Sequence, residues 1–539
     1  MIDLTLQTLC PLLLYAETHF RFFKGFPSLL RNKDPEILFD CPRRADPGER
    51  LPILLIINDL PNLPITIHEV NITVNQSGLP TNLFTFKAGK ENEIAHEFTA
   101  TQKVFRFFID RESLPDKLIY INCKLTVTID GHQKIILNDN IQTSSKAPFS
   151  CYLSDEYLPG KEYCSLGDLH FHSQYSQSHV EFGPPLIAAD SIAKASGLDF
   201  IAITDHSYDL ACKMSNYLIE DQSLERWHSL QSQIEKSNFS LIFLPGEEIS
   251  CLNESGEIVH LCGIGISQYI PGSMDGARKR RVFSSKLTIN EAVTLIKKQN
   301  GIAFAAHPGS KKSPLQSLFL NRGNWSKKDI RSNQIDAVQA FNGSYKEAWE
   351  RGKELWINAL MNGKRLSLVA GNDAHGDFNR YRAIKVPFIS IFENFDRFMG
   401  FGKTGIYGRN LSRDKLLGAI REGKTFITTG PYLSIVFSPD PFDHAISIDT
   451  ISDDKKEFFI HAISTVEFGA LSKVTLIGYY KGRNEETSLF SKSYGNERFE
   501  VCEPVPLETI ENLVYIRAEA TSRTKDNKKC AAFTSPCYF

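Results

Sequence analysis

Through roughly the first 155 residues the apolar positions come in short runs cut by turn residues. Leu51 to Asn58, Pro64 to Val74, Val104 to Asp110 and Leu118 to Asp130 are rich in β-branched and aromatic residues, which suit a pleated, half-buried surface. No long helical periodicity interrupts them, so a β-sandwich over residues 1–158 is the economical expectation. From Gly167 the rhythm changes. Pro184 to Ser196 reads as a helix stopped by Gly197 before the strand Phe200 to Ile203. Ser223 to Lys236 reads as an amphipathic helix ahead of Leu241 to Leu244. Thr288 with Glu291 forms a capping-box pattern that opens a helix to Lys298, before the strand Ile302 to Ala305. Asp336 to Phe341, Tyr345 to Met361, Leu366 to Ala370, Ser412 to Arg421 and Thr425 to Thr428 continue the alternation. Alternating strand and helix implies a largely parallel sheet, and the repetition predicts a distorted, TIM-like βα barrel over residues 159–431. Beyond Pro431 the helices stop, and Phe458 to Ile463, Val474 to Tyr480 and Leu513 to Ala518 predict a small β domain over residues 432–539. The expected fold class is therefore multidomain, α/β plus β.

Composition narrows this picture only a little. A chain of 539 residues is too long for one compact core. A formal net charge of -2 gives no whole-chain field to attract polyanions, which leaves nucleic acid only as a short substrate. Eleven cysteines without a CxxC pair point to reduced thiols and a cytoplasmic home. The apolar stretch Leu4 to Tyr15 follows Asp3 with no basic flank, which is not the pattern of a secretory leader. No run reaches the roughly 20 apolar residues of a spanning helix, so no membrane partner is expected. The segment Gln268 to Leu287, with its basic run Arg278 to Arg281, reads as a solvated loop, the sharper alternative being a lid over an anionic substrate.

The histidines carry the chemistry. His170 and His172 stand two apart on an expected strand, so both rings face one side. His206 follows the apolar run Phe200 to Ile203 in Thr204-Asp205-His206, and Glu248 follows Leu244-Pro245-Gly246-Glu247. His260 opens the strand Leu261 to Ile266, His307 closes Ile302 to Ala306, and Asp373 and His375 come just past Leu366 to Ala370. A lone His-x-His is more often a surface pair, and Thr-Asp-His or His-Pro by itself says little. Strand after strand ending in potential ligands is a different matter. A mixed imidazole and carboxylate set without thiolate fits catalytic zinc, manganese or iron. His228, inside the amphipathic helix, reads as an ordinary helix-surface histidine.

Asp168-x-His170-x-His172, Thr204-Asp205-His206, Gly246-Glu247-Glu248, His260, His307-Pro308 and Asp373-x-His375 resemble, in that order, the motifs of the PHP (polymerase and histidinol phosphatase) superfamily of metallohydrolases. Glu422-Gly423-Lys424-Thr425-Phe426 through Thr429-Gly430-Pro431, with flanking β segments, looks like its CehA/McbA-like branch. The resemblance covers Gly167 to Pro431. It implies a PHP-type barrel holding two or three divalent cations. The first would take His170, His172, Glu248 and Asp373. The second would share Glu248 and add His260 and His307. The third would take His206 and His375 with a ligand from the loop after His172. That loop usually supplies an acidic residue, whereas this chain reads Ser176-Gln177-Ser178-His179, which makes His179 the candidate third ligand.

Two cations bridged by a carboxylate activate water near neutral pH and polarise a phosphoryl or carbonyl oxygen. His206 or His375, if unligated, would serve as acid for the departing group. Asp168 and Asp205 are candidate acceptors for imidazole N–H groups, and Arg380 or Arg382 for gripping a substrate anion. The expected activity is a metal-dependent phosphoesterase on a small, anionic phosphorylated or nucleotide substrate. Carbamate or carboxylic ester hydrolysis is the alternative, and a metal-stabilised binding module without catalysis is a third reading.

Overall fold

The computed structural model describes residues 35–58, 65–76, 82–87, 102–114, 117–141, 144, 146–176, 183–214, 216–272, 287–311, 322–343, 347–376, 378–380, 383–386, 389–392, 397–436, 457–495, 497–506 and 511–539. Strand accounts for 46% of it and helix for 17%.

In the N-terminal part, strands Ile37–Asp40, Leu51–Asn58 and Gln102–Ile109 form an antiparallel three-stranded sheet. A six-stranded sheet built on Lys117–Ile129 and Ile65–Asn75 shares a core with it, in which Ile53, Leu55 and Ile57 meet Val70, Ile72 and Leu125. Leu54 and Ile56 point the other way, into the core of the central part. Burial on both faces explains why Leu51 to Ile57 is apolar throughout rather than alternating.

The central strands belong to one fourteen-stranded sheet. Its order runs Ser367–Gly371, Ala337–Asn342, Ile302–Ala305, Ile258–Ile264, Ile242–Leu252, Phe200–Ile203, Cys164–Phe171, Lys403–Tyr407, Thr425–Thr428, and on through Lys529–Thr534, Leu513–Arg523 and Ala470–Tyr480 to Thr487–Ser493, with Cys537–Tyr538 also paired to Leu513–Arg523. This corrects the expected TIM-like, PHP-type βα barrel. Within this sheet, among the described residues, parallel ladders are confined to two groups of three strands, Cys164–Phe171 with Phe200–Ile203 and Ile242–Leu252, and Ile302–Ala305 with Ala337–Asn342 and Ser367–Gly371. Between the groups, Ile258–Ile264 runs antiparallel to both neighbours. The cause is local: Asn253 accepts the amides of Ser255 and Glu257 on its side-chain oxygen, and Gly256 takes a positive φ of 74°, so the chain reverses in a tight turn where a barrel unit needs a crossover helix. On the other side Lys403–Tyr407 and Thr425–Thr428 are also antiparallel, and Phe426 pairs with Thr534 to carry the sheet into the C-terminal strands. Among the described residues no ladder joins Ser367–Gly371 to the strands across from it; they meet through the bridge Phe171–Ala374 and through side-chain hydrogen bonds, Thr404 Oγ1 donating to the Ala370 carbonyl and Thr425 Oγ1 to the Leu368 carbonyl.

Helices Leu186–Ala195, Glu225–Lys236, Ile289–Lys297, Glu347–Met361 and Arg413–Arg421 supply buried apolar side chains to the central cores. The third begins at a complete capping box, with Thr288 Oγ1 accepting the Glu291 amide and Glu291 accepting the Thr288 amide. Among the described residues no helix is long and apolar enough to cross a membrane. The basic run Arg278 to Arg281 lies outside the described residues.

Candidate metal centre

The antiparallel return at Ile258 still delivers its histidine to the place where the parallel strands end. Asp168 and His170 share a face of Cys164–Phe171, and His172 follows just past it. Gly371 makes room: a Cβ there would lie 2.4 Å from the Cβ of His170. A parallel bridge joins His206, three residues past Phe200–Ile203, to Glu248, midway along Ile242–Leu252, and His260 lies opposite Ser250. His307 and Asp373 hold φ values of +31° and +55°, unfavourable for side chains of this kind, and such strain clusters where a site fixes a ligand.

Glu248 is the hub. Its Oε1 lies 2.6 Å from His260 Nδ1 and 3.0 Å from His307 Nε2. Its Oε2 lies 3.0 Å from His206 Nδ1, 3.4 Å from His172 Nε2 and 3.5 Å from His170 Nε2. Asp373 Oδ1 is 3.2 Å from His172 Nε2 and 3.5 Å from His170 Nε2. Potential ligand atoms fall into three overlapping groups: His170, His172, Glu248 and Asp373; His206, Glu248 and His260; and His172, His206 and His375. His307 reaches the centre through Glu248 and stacks on His170 with ring centroids 5.6 Å apart. His179 and Arg382 lie outside the described residues.

The decisive feature is what these atoms fail to do. Glu248 Oε2, Asp373 Oδ1, both ring nitrogens of His206 and His375 Nε2 are buried without a hydrogen bond. Unsatisfied buried polar atoms cost about 1–3 kcal/mol each, and here they converge on common points. Lone pairs packed at contact distance but not aligned for hydrogen bonding suit divalent cations. The residues present fit them.

The charge distribution agrees. Burial acts to raise Glu248, but His260, His170 and His206 outweigh it and hold the carboxyl well below the usual range. Asp373 is likewise held low against its burial by His170, His172, Arg397 and His307. Burial acts to lower His170, yet Cys262, Glu248 and Asp373 hold it well above its ordinary value. His172, also opposed by burial, is raised to about 9 by Asp373 and Glu248. Burial and the neighbouring His172 push His375 well below its ordinary value, although Asp373 opposes them. A neutral His375 offers a lone pair, which suits ligation better than a general-acid role.

The acceptors behind the rings are not the aspartates. Gln339 Oε1 takes His170 Nδ1 at 2.9 Å and the His307 amide at 3.2 Å, Ser176 Oγ lies 3.0 Å from His172 Nδ1, and the Asp373 carbonyl takes His375 Nδ1 at 3.0 Å. Asp168 instead accepts the amides of His170, Asn372 and Gly400 and the side chain of Asn372. Asp205 accepts the amide and hydroxyl of Ser173, which fixes the turn after His172. Arg380 lies beside Asp40: its amide donates to the Asp40 carboxylate, which also caps the amides of Phe378 and Asn379 and is raised by burial against the lowering effect of the Arg380 charge. Two other arginines approach the centre. Arg397 Nη1 lies 3.3 Å from Asp373 Oδ2, and Arg322 Nη1 lies 2.6 Å from His260 Nε2. Gln339 had a signal in the sequence, as the one polar side chain within the apolar run Ala337 to Phe341; Arg322 and Arg397 had none.

No family model matches the chain, and no curated protein matches it. The PHP likeness therefore rests on the motifs alone. Among solved structures, a Bacteroides uniformis beta-glucuronidase 2 covalently bound to cyclophellitol-6-carboxylate aziridine is similar at 12% identity and a TM-score of 0.19, over 94% of this chain and 61% of that one. A putative beta-galactosidase from Bacteroides fragilis is similar at 10% identity and a TM-score of 0.18, over 93% of this chain and 73% of that one. The chain thus spans less than two thirds of the glucuronidase, and at such TM-scores neither likeness bears on fold or function.

Proposed function

We propose that the protein is a metal-dependent hydrolase of small anionic esters, with phosphoesters the favoured substrates. The observation that supports this most is the convergence of Glu248 Oε2, Asp373 Oδ1, His206 and His375 Nε2 as buried, unsatisfied donors of lone pairs. His170, His172, Glu248 and Asp373 would hold one cation, and Glu248 would extend to a second with His260 and His206. Cations so held supply Lewis acidity and make water nucleophilic near neutral pH. Around them the chain's own groups set geometry. Gln339 orients His170, and Ser176 orients His172, so each presents Nε2 to the centre. Arg397, its side chain 38% exposed while bound to Asp373, stands where an incoming anion would meet a guanidinium, which favours a phosphoester over a neutral ester.

The test is a screen of the manganese- or zinc-loaded full chain on p-nitrophenyl phosphate, bis(p-nitrophenyl) phosphate and p-nitrophenyl acetate. Turnover of a phosphate substrate, lost on chelation and restored by metal, is the expected result. A protein that binds cations yet hydrolyses none of the three would instead be a metal-stabilised binding module.

A further inference from the structure

His260 is held between a carboxylate and a guanidinium: Nδ1 faces Glu248 Oε1 at 2.6 Å and Nε2 faces Arg322 Nη1 at 2.6 Å. We propose that Arg322 competes with the second divalent cation for His260, so that the two cations bind with unequal affinity and the second must displace the guanidinium. This rests on reading the cluster as a metal centre.

A guanidinium donates hydrogen bonds and never accepts them. The Nε2 atom of His260 must therefore be the unprotonated nitrogen, and Nδ1 carries the ring proton and donates it to Glu248. A cation needs a lone pair on an unprotonated nitrogen. Ligation through Nε2 takes the lone pair that Arg322 holds. Ligation through Nδ1 moves the ring proton to Nε2, which then confronts the guanidinium donor to donor. Either route breaks the contact, and the positive charge of Arg322 opposes the incoming cation as well.

The contact is built into the backbone rather than left to a wandering side chain. Arg322 bridges to Ile258, two residues before His260 on the same strand. The Gly323 amide binds the Ile258 carbonyl at 2.7 Å, the Asn253 side chain binds the Asn324 carbonyl at 3.1 Å, and Trp325 is buried beside them. Arg322 itself is 8% exposed. The other cation group is arranged differently. There the arginine, Arg397, contacts Asp373 Oδ2 and leaves Oδ1 facing the imidazoles, so no imidazole of that group is shown capped by a guanidinium.

Calorimetric titration of the chelator-stripped full chain with zinc or manganese tests this. Arg322→Met removes the charge and the donors at similar length, and should tighten the second cation by about 10- to 100-fold, the worth of one charged hydrogen bond. The first cation should bind as in the parent protein. Arg322→Lys keeps a charge but not the fork, should show a smaller gain, and carries the test if Arg322→Met does not fold. A folded variant whose second cation binds no more tightly, or a second cation absent from parent and variant alike, would overturn the proposal. Cation affinity is the readout, and turnover is scored separately. An Arg322 effect on binding without any turnover would sink the hydrolase reading and leave this one standing, and turnover with a second site indifferent to Arg322 would do the reverse.

Discussion

Glu247 and Glu248 are adjacent on one strand, so their side chains leave on opposite faces, and substituting each with glutamine should give opposite results. Glu248 faces the imidazoles, whereas Glu247 accepts the Ile270 amide on Oε1 at 2.7 Å and leaves Oε2 buried without a hydrogen bond. Burial pushes the Glu247 carboxyl from 4.5 up to about 8, against the lowering effect of Ser207 and the Ile270 amide. The folded state thus holds this proton more tightly than the unfolded chain between pH 4.5 and about 8. Stability must fall as pH climbs through that window. At about 1.4 kcal/mol per pH unit, the cost has reached about 3 kcal/mol by pH 7. Glu247→Gln, neutral at every pH, removes that cost. It should be more stable than the parent by about 3 kcal/mol at pH 7 and equal to it near pH 4.5, while keeping its cations. All four tryptophans, Trp227, Trp325, Trp349 and Trp356, lie in the central part, so urea unfolding followed by their fluorescence at the two pH values reports the right region. Equal or lower stability of Glu247→Gln at pH 7, or a loss of metal like that expected of Glu248→Gln, would refute the assignment of the two glutamates.

Gly371→Ala places a methyl group 2.4 Å from the Cβ of His170 and 2.7 Å from its amide nitrogen, so it should cost about 1–3 kcal/mol in stability and weaken the first cation at least tenfold, read by thermal melting and calorimetry. Because His172 is raised to about 9 and His170 is shifted in the same direction, loading should expel protons from the metal-free protein and tighten as pH rises toward 9, measurable in buffers of different ionisation heat; loading without proton release would contradict it. His172→Ala should abolish hydrolysis with an unchanged far-ultraviolet spectrum, and His228→Ala, on the exposed side of helix Glu225–Lys236, should leave it intact; equal loss in both would count against the centre.

The ligand cluster was legible because strand geometry is periodic. His170 and His172 had to share a face, and the parallel neighbours Phe200–Ile203 and Ile242–Leu252 had to carry His206 and Glu248 toward the same edge. The barrel was misjudged where a short turn mattered more than a long pattern. Asn253-Glu254-Ser255-Gly256 between two apolar runs is a hairpin signal, and it reverses Ile258–Ile264 without disturbing which face His260 presents. The pairing of Phe426 with Thr534 joins strands more than a hundred residues apart, and no local pattern encodes it. The same is true of Arg322, whose place beside His260 follows from a single bridge to Ile258. Asp168 and Asp205 lie beside the histidines in sequence, yet their carboxylates secure backbone, amide and hydroxyl groups while Gln339 and Ser176 hold the rings.

Glu248 belongs to two of the ligand groups and would therefore be shared by both cations. Elemental analysis of the full chain purified without chelator measures this most directly, run beside Glu248→Gln. The parent should carry at least two equivalents of zinc, manganese or iron, and the variant should fall below one, since both groups of ligands share this carboxylate. Fewer than one equivalent in the parent after reloading, or an unchanged count in the variant, would contradict the account.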